Sequence, residues 1–166
     1  MYSTLNNFLL IAENDIKFFH KTKDEADSYK RVLKSFFNKN VFQQCVDELE
    51  IAHGRLSKDY SNFAKFYQEN KQKFTADTKK HIISYLDYLK SAVLAAEKRL
   101  FIQRVILDIK INRTVKKNEV ALPKMFNELD EMYGECRQKA ILVNNIAEEI
   151  KSAYQGYCSR RKKPRG

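Results

Sequence analysis

A chain of 166 residues, 43% hydrophobic and 31% charged, is long enough to bury a core and too apolar to be disordered by composition. Only four glycines and two prolines are present, with no tryptophan, so little turn-forming material exists; many short strands are excluded and a few long helices favoured. The net charge of +10 points to acidic partners, but five basic residues fall in Ser159 to Gly166 (SRRKKPRG), so body and tail are read separately.

The first segment runs from about Ser3 to Phe37, with Ser3 or Thr4 as its N-cap. Leu5, Leu9, Ala12, Ile16, Phe19, Ala26, Tyr29, Leu33 and Phe36 keep a helical period. His20 to Asp27 (HKTKDEAD) is polar throughout and predicts a break, with Thr22 or Asp24 capping a second helix. Asn38-Lys39-Asn40 reads as a turn, because Asn tolerates the left-handed conformation. The second segment, from about Val41 to Lys73, repeats the rhythm through Phe42, Cys45, Leu49, Ala52, Leu56, Phe63, Tyr67 and Phe74. Gly54 inside it costs roughly 1 kcal/mol against Ala without ending a strong helix.

The third segment, Thr75 to Ile111, is the longest apolar-periodic stretch, and the rest of the chain has to cover it. Ile82, Leu86, Leu89, Val93, Ala96 and Leu100 recur in alternating steps of four and three, with Thr75 or Thr78 as cap. Val105 to Ile111 (VILDIKI) alternates like a strand. Helix is preferred there, because Ile102, Val105, Ile106 and Ile109 continue the helical face and no second strand exists for pairing. Asn112 to Ala121 is a loop, and Pro123 marks the restart. The fourth segment, from about Pro123 to Tyr157, steps through Met125, Leu129, Met132, Cys136, Ala140, Val143, Ala147, Ile150, Tyr154 and Tyr157.

The fold class expected is all-α: four long amphipathic helices, each of about 35 residues or about 50 Å. They form one domain over residues 1–158, followed by a disordered basic tail over 159–166. Two arrangements fit: an up-down bundle, or extended antiparallel coiled-coil hairpins completed by partner subunits. In the second, the seam offered to partners is Leu49, Leu56, Phe63, Ile82, Leu86, Leu89, Val93, Leu100, Leu129, Val143 and Ile150.

Catalytic chemistry is hard to place on this sequence. Four scattered glycines cannot build a phosphate loop, and no HExxH, GxSxG or CxxC occurs. His20, His53 and His81 are far apart, and no base, orienter or ligand can be named for any of them. Asp24-Glu25 and Glu148-Glu149 are neighbours in sequence, which do not face each other on a helix. Glu-x-x-His motifs on two helices, as a di-metal bundle needs, do not occur, and no Cys/His cluster for zinc is found. Cys45 and Cys136 fall on apolar seams as small core residues, Cys158 is expected to be exposed, and the set suits a reducing compartment. Phe8 to Ala12 is too short for a membrane span and lacks the flanks of a signal peptide. The expectation is a non-enzymatic protein of the cytoplasm, cytoskeleton or nucleus, with no cofactor, metal or small-molecule substrate.

Phe63, Phe66, Tyr67 and Phe74 interleave with Lys65, Lys71 and Lys73, a pattern that would stack nucleic-acid bases, but helical spacing favours core packing. Arg160, Arg161, Lys162, Lys163 and Arg165 read as a contact to an acidic surface: a microtubule, nucleic acid or an anionic membrane. The leading expectation is a helical scaffold subunit of a coiled-coil complex associated with the cytoskeleton or spindle. A nucleic-acid-binding helical module is an alternative.

A further reading comes from resemblance. AENDIKFF (12–19), EAD (25–27) and VLKSFF (32–37), with RQKA (137–140) about twenty residues before RRKK, resemble gamma interferon over about a third of the chain. An extra segment of about one helix separates them. The resemblance implies a secreted four-helix cytokine, for which the sequon Asn112-Arg113-Thr114 would carry a glycan.

Overall fold

The computed structural model describes the backbone of residues 2–28, 40–114 and 120–161, and side chains over 3–28, 40–114 and 120–153. Among these residues there are four α-helices and no strand: α1 (Tyr2–Asp27), α2 (Asn40–Asn70), α3 (Ala76–Leu107) and α4 (Leu122–Arg161). The all-α class read from composition holds.

Helix α1 ends at Asp27, the last residue of its polar stretch, rather than at Thr22 or Asp24 within it. His20 to Asp27 is helical throughout, and Thr22, offered above as a cap, is buried inside it. The exposed face carries i,i+4 pairs instead, Lys17 with Glu13 at 2.7 Å and Lys21 with Glu25 at 3.8 Å, which support a wet helical surface. The second half of the first segment, with Tyr29, Leu33 and Phe36, lies outside the described residues. So does most of the expected turn, of which Asn40 opens α2.

Thr75 caps α3 as expected: it is extended, and its hydroxyl accepts from the Thr78 amide at 3.2 Å. At the other end the strand-like VILDIKI stretch is helical. Helix α3 runs to Leu107, then widens into one π turn, Asp108–Asn112. Arg113, at φ 54°, stops it by entering the left-handed region, and its amide donates to the Asp108 carbonyl.

The helices run up and down in succession. α1 lies antiparallel on α2, where Phe8 stacks on Phe63 with centroids 5.5 Å apart and Arg55 covers the Phe18 ring at 4.5 Å. α2 lies on α3 through Phe63 against Tyr85, at 6.0 Å, and Arg104 with Glu50, at 2.9 Å. α3 pairs with α4 along its length: Lys80–Glu149 at 3.4 Å, Lys139–Asp87 at 3.1 Å and Lys98–Glu128 at 2.5 Å. α1 reaches α3 at few points, namely Tyr85 Oη donating to the Leu9 carbonyl and the Arg99–Asp27 ion pair.

Phe19, Leu49, Leu56, Phe63, Ile82, Leu89 and Ile102 are fully enclosed. Phe8, Phe63, Phe66, Tyr67, Phe74 and Tyr85 form a continuous ring cluster at one end of the bundle, which is the core reading of the aromatic and lysine pattern. Of the seam residues, Leu49, Leu56, Phe63, Ile82, Leu89, Leu100, Leu129 and Val143 are buried within this chain, whereas Leu86, Val93 and Ile150 are partly buried. The heptad-like stepping therefore marks contacts inside one bundle, and a partner cannot use those eight side chains without opening it.

Candidate binding cleft

The fourth side of the bundle is not closed. Among the described residues α1 and α4 approach chiefly where the Lys23 ammonium sits 4.9 Å from the Tyr133 ring centroid. Small residues on the facing helices, Ala92 and Ala95 on α3 and Gly134 and Ala140 on α4, leave space behind that contact. The result is a cleft floored by α3 and walled by α1 and α4. It has a cavity of about 610 Å³ toward Phe19, Lys23 and Tyr133, and one of about 480 Å³ toward Leu9, His81 and Val143. His20, Tyr88 and Ala140 border both.

Sequence reasoning left His20 and His81 unconnected, yet both line the smaller cavity. Burial lowers the pKa of each, with Lys23 adding to the effect at His20 and Asp24 opposing it, which favours the neutral imidazole. His53 lies elsewhere, on α2, 3.2 Å from the Ser57 hydroxyl. Burial raises the Tyr88 and Tyr133 phenols above their ordinary range and pushes the Cys136 thiol up to about 11. A thiol held that high is a poor nucleophile at neutral pH. Cys45 is buried, and the side chain of Cys158 lies outside the described residues.

Between Asp27 of α1 and Phe126 of α4 lies a buried cation. Arg99 Nη2 pairs with Asp27 Oδ1, its guanidinium carbon stands 6.0 Å from the Phe126 ring centroid, and its Nη1 has no partner among the described residues. Among the described residues, no group of three or more His, Cys, Asp or Glu is placed to hold a metal ion.

A second surface lies on the opposite side of α3. Ile83, Asp87, Lys90, Leu94, Glu97 and Phe101 repeat the four-three stepping one residue out of phase with the buried stripe. Ile83, Leu94 and Phe101 are 52%, 44% and 54% exposed. The seam expected for partners lies on the inner row, and Ile83, Leu94 and Phe101 form no part of it.

Of the basic run, the backbone of Arg160 and Arg161 belongs to α4, which continues past the expected boundary at residue 158. Lys162, Lys163 and Arg165 lie outside the described residues. No helix among the described residues is long and apolar enough to cross a membrane. Compared with protein-family models, curated proteins and solved structures, the chain matches none.

Proposed function

We propose that this chain is a non-enzymatic helical scaffold subunit of a larger coiled-coil assembly. A partner helix seats along the outer face of α3, and the basic run from Arg160 to Arg165 engages an acidic surface such as a microtubule. The supporting observation is the outer row of α3. From Ile83 to Phe101 its stepping offers a second coiled-coil register about 27 Å long, on the side of the helix away from the cleft. Lys90 and Glu97 within the row give it both signs of charge, which would set the partner's register. Burial keeps the cleft's Cys136 thiol and Tyr133 phenol protonated at neutral pH, which makes both weak nucleophiles.

The test is the double variant Leu94→Glu/Phe101→Glu in the native cell. Both side chains are about half exposed, so the variant is expected to keep its helicity and melting temperature. Proteins that crosslink to wild-type α3 are expected to be lost. Retention of the same crosslinked partners at wild-type levels would refute the outer-face assignment.

A further inference from the structure

The outer row of α3 continues from Ile83 back through Lys80 to Ala76 with the same stepping, and every member of it up to Phe101 is exposed. At about 1.5 Å per residue the stripe is about 38 Å long. Its charges alternate along the helix: Lys80, Asp87, Lys90, Glu97. Lys80 and Asp87 hold α4, through Glu149 at 3.4 Å and Lys139 at 3.1 Å, yet each stays more than half exposed. Lys90 and Glu97 have no ion-pair partner among the described residues.

This row is complementary to itself. When a second α3 is laid antiparallel on the first, with the two-fold axis level with Tyr88 and Leu89, Asp87 faces Lys90 of the second copy and Leu94 faces its Ile83. Further out, Glu97 faces Lys80, and Phe101 stands over the small Ala76. Symmetry makes each of these pairs twice. The neighbouring registers fail. Moving the axis half a heptad toward the C-terminal end sets Asp87 against Glu97 and Lys80 against Arg104; moving it as far the other way sets Lys80 against Lys90. A parallel pair in register sets every charge against its own kind. Staggering that pair by a heptad puts Lys90 on Ile83 and leaves an open-ended contact. Like charges held opposite one another disfavour binding, so the row specifies both direction and register.

We propose that the partner helix on the outer face is α3 of a second copy of this chain, docked antiparallel in this register; this rests on the outer-face reading given above. The Asp87–Lys90 pairs lie at the axis, and a Leu94–Ile83 layer flanks them on each side. The contact is one helix wide, its ion pairs are exposed, and each copy carries a net charge of +10 that opposes association. The dimer is therefore weak, and the matching of charges across the face decides whether it forms.

Sedimentation velocity of the full chain over a micromolar concentration series tests the assignment. A monomer–dimer equilibrium is expected. Lys90→Glu sets like charges opposite each other at the axis and is expected to weaken the dimer by about tenfold or more. Its melting temperature at low concentration should not move, because Lys90 is exposed and unpaired in the described monomer. Adding Asp87→Lys to that variant restores the pairs with their signs exchanged, and is expected to return dimerisation to within about threefold of wild type. A chain that is monomeric at every concentration, a dimer indifferent to Lys90→Glu, or no rescue by the second substitution would each overturn the proposal. A monomer whose crosslinked partners are still lost in Leu94→Glu/Phe101→Glu overturns the second copy alone and leaves the outer face as a docking surface for another protein.

Discussion

Asp59 of α2 and Asp15 of α1 show how much a single contact can add to what a sequence says. The two carboxyls meet across the helix interface, with Arg55 3.9 Å from Asp15. Burial comes first, then the hydrogen bond and the charge of Asp15; together they push the Asp59 pKa up to about 6 against a weaker opposing effect of Lys58. The folded chain thus holds a proton that the unfolded chain releases near pH 4. Its contribution to stability is full below the ordinary carboxylate range and is lost as pH rises through about 6. Asp59→Asn keeps the shape and removes the charge. It is expected to raise the melting temperature by about 2 °C at pH 7.5, with the gain vanishing toward pH 4. Superimposable pH profiles of variant and wild type would dismiss the pair as an energetic unit. Nothing in the linear pattern marked this contact: both aspartates look like ordinary solvated positions until two helices are laid side by side.

Helix α3 was legible nearly end to end, because its cap, its period and its stop are all local. Thr75 announced the start, and the buried row through Ile82, Leu89, Ala96 and Leu100 followed from spacing alone. What spacing did not convey is how far round the helix burial extends. Ala92, Ala95, Arg99, Ile102 and Gln103 are buried as well, since α2, α4 and part of α1 all lean on this one element. The end of α1 was read too early: the polar run stays helical to its last residue, Asp27, with Thr22 turned inward. Leu89→Ala is therefore expected to cost about 2–5 kcal/mol, as befits a fully enclosed leucine. Leu94→Ala, five residues on, should fall within about 0.5 kcal/mol of wild type. Urea unfolding of both variants checks the pair; similar losses would mean that the outer row is not solvent-facing in solution.

At the scale of the molecule, the alternating direction of the four described helices was within reach of the sequence, and the unclosed side was not. Periodicity reports that a face is apolar but not which helix lies on it. His20, Tyr88, Tyr133 and Cys136 come from three helices, and only their assembly makes a cleft. The one available signal was the run of small residues at Ala92, Ala95, Gly134 and Ala140, which leaves room unless another element fills it. The inner seam was assigned to partners for a related reason: the same stepping serves a bundle and a multichain coil, and burial alone separates them.

Because α1 is fastened along α2 but, among the described residues, lies close to α3 at fewer points and meets α4 chiefly through Lys23, it is the strip of the structure that can peel first. Native-state hydrogen exchange should show amides of α1 opening as a unit at lower free energy than those of α3, in mild denaturant and without global unfolding. Identical opening energies for the two helices would contradict this. If α1 does lift alone, the cleft behind it has a hinge at the α2 side, and entry to the interior is governed by how tightly one helix is latched.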